Sequence, residues 1–229
     1  MEIFKLIVII VVSYLLGAIP SGVIISKSIF KFDIREKGSG NMGSTNAMRV
    51  LGWKWGLVVQ VMDLLKGFLA VVLVATYLGS DISFNSITSF EDITLVRIIA
   101  GISAVCGHIW SIFVEFRGGK GINTAAGFLL GIAPLDLGIA VGFFIIALIF
   151  SGYVSLGSIT AAIAFPSSIF FRQNILNDYI PGYEIIFYFS ILLSLILIFA
   201  HKKNIKRLFA GTENRFQKLQ FIKLKFRKR

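Results

Sequence analysis

The sequence predicts an all-α membrane protein with seven transmembrane helices, some of them short, an N-terminus outside and a C-terminus in the cytoplasm. Three observations carry this. Of 229 residues, 56% are hydrophobic and 15% charged, where soluble domains carry about 25% charged residues. The apolar residues fall into runs approaching the roughly 20 that a helix needs to cross a hydrocarbon core about 30 Å thick. Lys and Arg are unevenly shared among the connecting loops, and their enrichment marks the cytoplasmic side.

The clear spans run from Ile3 to Ile25, Trp55 to Leu78, Ile93 to Val114, Val154 to Phe171 and Tyr183 to Ala200. Between Gly121 and Phe150 the chain is again apolar, but Pro134 and Asp136 interrupt it. That stretch divides into a short helix, Ile122 to Ala133, a tight turn, and a second helix, Leu135 to Phe150. In the first span Glu2 accompanies Lys5 and no small-x-small cleavage site follows, so a retained helix is expected rather than a leader. Its Pro20-Ser21-Gly22 step predicts a kink.

The loops orient the spans. Residues 26–54 carry Lys27, Lys31, Arg35, Lys37, Arg49 and Lys54, whereas 79–92 carry no Lys or Arg and three acids, Asp81, Glu91 and Asp92. Arg117 and Lys120 follow the third span, and the turns at Pro134 and at 151–153 are uncharged. An odd number of spans with the N-terminus outside satisfies all of these; the lone Arg172 opposes it. The net charge of +11 is concentrated in 201–229, where eleven Lys/Arg face one Glu. We read 201–229 as a basic cytoplasmic segment at the membrane surface, after a polytopic domain of residues 1–200, with membrane lipids and not nucleic acid as its partner. The single Cys106 excludes an internal disulfide.

This topology brings three polar, glycine-bearing segments to one face. In GSGNMGSTNAMR (38–49), Gly38, Gly40 and Gly43 permit close backbone approach and Ser39, Asn41, Ser44, Thr45 and Asn46 add neutral donors. Arg49 adds a charged fork suited to phosphate. On composition alone, a flexible interhelical loop with a capped helix start explains the segment equally well. In the second, Arg117-Gly118-Gly119-Lys120-Gly121 precedes a helix of small residues, an arrangement that favours a bound anion at the helix start. His108 and Glu115, two helical turns apart, are expected to share a face. In the third, His201 and Asn204 are three apart on a continuing helix, so both are expected to face one way, with Gly211 and Glu213 beyond. Histidine there can orient or deprotonate an alcohol. Asp63 and Lys66 form an i,i+3 pair within the second span, read as a structural ion pair. Arg97 lies near the outer end of its helix, where snorkelling is expected.

These residues resemble a known family. G-S-G-N-x-G-x-T-N-x-x-R (38–49), D-x-x-K-G (63–67), G-H (107–108) with F-R-G-G-K-G (116–121), Y-V-S-L-G-S (153–158) and H-x-x-N-I-x-R-L-x-x-G-x-E (201–213) are similar in order and spacing to the integral-membrane acyl-phosphate:glycerol-3-phosphate acyltransferases of bacteria. The resemblance implies acyl transfer from a fatty acyl phosphate to the 1-hydroxyl of glycerol 3-phosphate, giving lysophosphatidic acid and phosphate, as an early step of phospholipid synthesis. It implies seven helices, a location in the bacterial inner membrane, and a site on the cytoplasmic face.

By the same resemblance Ser39, Arg49 and Lys120 hold phosphate, and the loops of Gly38, Gly40, Asn41, Gly43, Thr45, Asn46, Gly118, Gly119 and Gly121 cradle it. His201 and Asn204 position glycerol 3-phosphate and act with Ser39 and Lys120 in catalysis, while His108, Arg117 and Glu213 support the site. No cofactor and no metal are expected, and a monomer is expected. Trp110-Ser111 stands where Phe-Pro is common, Arg117 where Lys is usual and Ser44 where Ala is frequent; the absent proline leaves the local helix ending open. A transporter of organic phosphate anions is the alternative, opposed by polar motifs confined to one face and by the lack of an inverted repeat.

Overall fold

The computed structural model describes residues 1–84 and 92–213; Glu91 and the basic residues beyond 213 lie outside the described residues. Among the described residues the fold is all helical. Two compact units are present, Met1–Ala133 and Pro134–Arg229. In the first are α1 (Glu2–Ala18), α2 (Ser21–Phe30), α3 (Ser44–Leu51), α4 (Trp53–Leu69), α5 (Thr76–Gly79), α6 (Asp92–Ile109) and α7 (Ile122–Ile132). A π-helical stretch, Ala70–Ala75, joins α4 to α5. The second unit has α8 (Pro134–Ser151), α9 (Val154–Asn174), α10 (Tyr183–Ala200) and α11 (Lys202–Phe209).

Among the described residues six stretches are long and apolar enough to cross a membrane: Glu2–Phe30, Trp53–Gly79, Asp92–Val114, Pro134–Ser151, Val154–Asn174 and Tyr183–Ala200. The expected fourth span, α7, has 11 residues, or about 16 Å at 1.5 Å per residue, roughly half a hydrocarbon core. The side-chain distribution suits lipid as solvent. Phe143, Ile145, Ile146, Leu192, Leu195 and Ile196 face outward, while Ser13, Asp63, Lys66, His108, Asp136 and Ser190 are buried. In lipid the outward apolar residues cost nothing and the polar ones must find partners inside.

The kink expected at Pro20 is a complete break between α1 and α2. Proline has no N–H to donate, so carbonyls of the preceding turn are released. At the break, two carbonyls accept from distant side chains: Ser111 Oγ, in the loop after α6, donates to the Ala18 carbonyl at 2.5 Å and Lys66 Nζ of α4 to the Ile19 carbonyl at 2.9 Å. Ser111, standing where the family pattern has proline, also keeps a proline-like φ of −71°. The helix therefore ends as it would with proline, and the hydroxyl gains a structural bond.

Reciprocal glycines set the closest helix contacts in the first unit. A Cβ on Gly17 would lie 2.0 Å from the Ala104 carbonyl oxygen, and one on Gly107 2.1 Å from that of Tyr14, so α1 and α6 touch backbone to backbone. Gly67 and Gly127 do the same for α4 and α7, at 2.0 Å from Thr124 O and 1.8 Å from Leu64 O. Without a hydrophobic drive between helices in lipid, such backbone approach supplies the packing.

Arg172, the one cation that opposes the loop-charge rule, is neutralised locally. Its guanidinium contacts Asp136 at 2.6 Å and Asp178 at 2.6 Å, and Ser168 donates to Asp136 at 2.9 Å. A cation held by two carboxylates is not a free positive charge. Lys5 is likewise paired with Asp81; that hydrogen bond holds the Asp81 carboxyl below the usual range. Because Asp136 is 1% exposed, Arg172→Ala strands a buried carboxylate, and about 3 kcal/mol of stability should be lost. Thermal unfolding in detergent reads this, and Asp136→Asn/Arg172→Gln should recover part of the loss. Arg97 is not simply snorkelled: its guanidinium donates to Thr76 Oγ1 at 3.3 Å.

Candidate active site

The 38–49 segment is an ordered structure, held by its own side chains. Asp33 accepts from the Arg35 backbone at 3.0 Å and pairs with the Arg35 guanidinium at 2.8 Å and Lys27 at 3.1 Å. The hydrogen bond from Arg35 holds the Asp33 carboxyl far below the usual carboxylate range and raises the guanidinium in turn. Arg35 also donates to the Val114 carbonyl at 3.2 Å, tying this loop to the one after α6. Asn46 accepts from the Ser39 N–H at 2.8 Å and donates to the carbonyls of Asn41 at 2.8 Å and Lys37 at 3.0 Å. Asn41 accepts from the Gly43 N–H at 2.9 Å. Asn41 and Asn46 therefore shape the loop, and Gly38 leaves room for Asn46, whose Oδ1 a Cβ there would meet at 2.2 Å.

The result is that α3 begins at Ser44 beside α7, which begins at Ile122. Asn123 in the first turn of α7 donates to Ser44 Oγ at 2.9 Å and links the two helix starts. Between them lies a cavity of about 280 Å³ lined by Ser39, Asn41, Gly43, Ser44, Thr45, Asn46, Arg49, Asp63, His108, Lys120, Gly121, Ile122 and Asn123. Ser39, Thr45, Arg49 and Lys120 are exposed, at its mouth. Asp63 and His108 are 2% and 3% exposed, at its inner end. Two helix starts and two cations meet here, an arrangement able to hold an anion, since backbone donors and dipole act together at a helix N-terminus.

Other predicted residues lie elsewhere. Gly118 and Gly119 donate to the carbonyls of Ile109 at 3.1 Å and His108 at 3.0 Å, closing the end of α6. A Cβ on Gly118 would lie 2.0 Å from the His108 oxygen, and one on Gly119 2.2 Å from the His108 ring. Close approach to His108 thus accounts for both glycines, and their N–H groups are spent. Gly40, Arg117 and Gly118 line a neighbouring groove with Asp33, Arg35, Glu36 and Glu115. The expected shared face of His108 and Glu115 is not formed: α6 ends at Ile109, a 3-10 turn follows at Ile112–Val114, and Glu115 takes a left-handed conformation. The returning loop caps the helix before it can reach Glu115.

In the second unit the helix expected to continue through His201 is broken there, with α10 ending at Ala200 and α11 starting at Lys202. His201 Nδ1 contacts the Leu197 carbonyl at 2.8 Å. A carbonyl can only accept, so Nδ1 carries the proton and a neutral ring keeps its Nε2 lone pair for a substrate. Asn204 donates to Glu213 at 2.7 Å and Arg207 pairs with it at 2.5 Å. First the Arg207 and then the Asn204 hydrogen bond lower the Glu213 carboxyl to about 2. Its folded value lies below the ordinary 4.5, so the contact is complete above pH 4.5 and is lost as pH falls through about 2. The carboxyl-carbon resonance of Glu213 should titrate near 2, and Arg207→Ala should move that midpoint up towards 4.5.

Comparison with known proteins fits this geometry. A family model described as glycerol-3-phosphate acyltransferase matches residues 7–211. The chain belongs to the glycerol-3-phosphate acyltransferase family. Proteins of that name from Chlorobium phaeobacteroides (strain DSM 266) and Chlorobaculum tepidum are 43% and 44% identical, over 93% and 90% of this chain and 97% and 94% of theirs. Crystal structures of PlsY (YgiH), an integral membrane glycerol 3-phosphate acyltransferase, are also similar. The glycerol 3-phosphate form has a TM-score of 0.68 at 32% identity, covering 93% of this chain and 96% of that one. The lysophosphatidic acid form has 0.69 at 31%, covering 94% and 97%. This acyltransferase is thus a multi-pass integral membrane protein. Two cavity residues had little signal in its sequence: Asn123 follows a glycine-rich run as an ordinary early helix residue, and the i,i+3 spacing of Asp63 and Lys66 pointed to mutual pairing.

Proposed function

We propose that the protein transfers a fatty acyl group from acyl phosphate to the 1-hydroxyl of glycerol 3-phosphate, giving lysophosphatidic acid and inorganic phosphate. The observation that carries this is the cavity at the paired starts of α3 and α7, with Arg49 and Lys120 at its mouth. Relatives crystallised in glycerol 3-phosphate and lysophosphatidic acid forms support an acceptor and a product of this chemistry.

Acyl phosphate is a mixed anhydride whose phosphate leaves readily, so the protein must supply anion binding, alignment and shelter from water. The acceptor oxygen attacks the carbonyl carbon directly, the carbon–oxygen bond to phosphate breaks, and the hydroxyl proton passes to His201 Nε2 or to phosphate. Ser39, Thr45, Arg49 and Lys120 hold phosphate together with the N–H groups of the α3 and α7 starts. His201 and Asn204 position the acceptor, with Glu213 as organiser. Arg117 adds positive charge from the neighbouring groove. We place the site on the cytoplasmic face of a bacterial inner membrane in a monomer with seven passes and its N-terminus outside. Support comes from the basic 26–54 loop and from the local neutralisation of Arg172 and Lys5.

The test is acyl transfer by purified protein in detergent, from acyl phosphate to labelled glycerol 3-phosphate. Labelled lysophosphatidate is expected from the wild type and not from His201→Ala. An acylated protein trapped during turnover would overturn direct attack, and uptake into sealed vesicles without transfer would favour a transporter.

A further inference from the structure

The inner end of the cavity is unlike its mouth. Asp63 Oδ1 accepts from Ser21 Oγ at 2.9 Å and pairs with Lys66 Nζ at 3.0 Å, all three side chains being buried. The Asp63 carboxylate borders the cavity. His108 is 97% buried, and its Nδ1 has no hydrogen-bond partner. It stands 3.7 Å from Asp63 Oδ1, too far for a bond between them. A carboxylate and the ring of a histidine whose Nδ1 has no partner among the described residues thus line one cavity.

Phosphate does not suit that end. Two like charges 4 Å apart repel by about 4 kcal/mol at an effective dielectric of 20, so a dianion belongs at the mouth with Arg49 and Lys120. What suits Asp63 and His108 is a neutral hydroxyl, which donates one hydrogen bond and accepts another. Glycerol 3-phosphate has two. The reacting 1-hydroxyl must meet an acyl donor whose long chain cannot fit beside the acceptor in a cavity of about 280 Å³, and so must face the opening.

We infer that Asp63 and His108 form a subsite for the non-reacting secondary hydroxyl of the acceptor. The hydroxyl donates to Asp63 Oδ2 and meets His108 Nδ1, while Lys66 and Ser21 fix the carboxylate. This holds the acceptor by phosphate at one end and by C2 in the middle, and leaves C1 as the free nucleophile. It makes the site selective for glyceryl phosphate over phosphorylated alcohols of the same length, and it rests on the proposed acceptor.

The experiment measures calorimetric binding of glycerol 3-phosphate and of 3-hydroxypropyl phosphate, which lacks only the C2 hydroxyl, to the full chain in detergent without an acyl donor. A site built to bond a hydroxyl rejects the analogue strongly, so the wild type should prefer glycerol 3-phosphate by about 100-fold or more. Asp63→Asn and His108→Phe, which retains a ring and removes the nitrogen, should each reduce that preference to about tenfold or less while inorganic phosphate binds within about twofold of wild type. Wild type binding both alcohols within about threefold, or both variants keeping the full preference, would overturn the subsite. Should Asp63→Asn not fold, the wild-type ratio and His108→Phe still decide. Because binding is read without a donor, loss of acyl transfer in the separate assay leaves this result interpretable.

Discussion

Replacing Arg49 with Ala should lower kcat/KM for glycerol 3-phosphate by about 100-fold to 1,000-fold, the range for removing one donor from a preorganised anion site. Lys120→Ala should do the same. The two cations stand at the mouth of a cavity whose other donors are neutral, the Ser39 and Thr45 hydroxyls and backbone N–H groups of α3 and α7, and these cannot replace a lost charge. The two replacements differ in what rescues them. Arg49→Lys restores charge without the planar fork and should recover only part of the loss, leaving a deficit of about tenfold. Lys120→Arg should recover most of it. Steady-state kinetics with both substrates varied separates the outcomes: a change confined to KM means uniform binding, and an equal fall in kcat and kcat/KM means transition-state contact. Wild-type kinetics in both alanine variants would remove the cavity from the mechanism.

Gly127→Leu should destabilise the protein by about 3 kcal/mol or more, at the upper end of overpacking costs. Any Cβ at this position falls 1.8 Å from the Leu64 carbonyl oxygen, and the obstacle is backbone of α4, which has no rotamer to change. Even Gly127→Ala should lower the thermal midpoint measurably in detergent. Gly138→Leu is the control, since a Cβ there meets nothing within 4 Å, and it should unfold within a few degrees of wild type. The α4–α7 contact also bears on the candidate site. It fixes the start of α7, hence Lys120 and Asn123, against the start of α3. A Gly127 variant that still folds should therefore lose activity before it loses structure.

Much of the fold was legible because lipid imposes a simple rule on sequence. Segments that cross it must be apolar and helical, so the long spans and the short helix before Pro134 could be read from hydropathy and proline alone, while at Pro20 an expected kink is a complete break. At Arg172 the sequence shows only a cation, and only the structure shows the two carboxylates that cancel it. In the candidate site, Ser39, Thr45, Arg49, Lys120 and Gly121 could be named from the pattern of small donors and cations, and all border one cavity. The meaning of several glycines was not legible. Gly118 and Gly119 look like phosphate-cradling residues, yet their N–H groups close the end of α6 and their missing side chains make room for His108. Sequence spacing also misled at His108 and Glu115, and at His201, because it assumes an unbroken helix, and helix ends are set by which distant groups cap them.

The sequence by itself determined what is local: which segments suit lipid, where proline and glycine interrupt them, and which stretches carry anion-friendly side chains. Tertiary structure decided which of those side chains share a cavity and which are consumed in holding its walls. Asn46 and Asn41 shape a loop, Lys66 donates to the Ile19 carbonyl at the distant break between α1 and α2, and Asp63, an apparent structural ion pair, opens onto the cavity. The reason is that a polar group removed from water must be satisfied by whatever the fold brings near it, and its partner can lie anywhere in the chain.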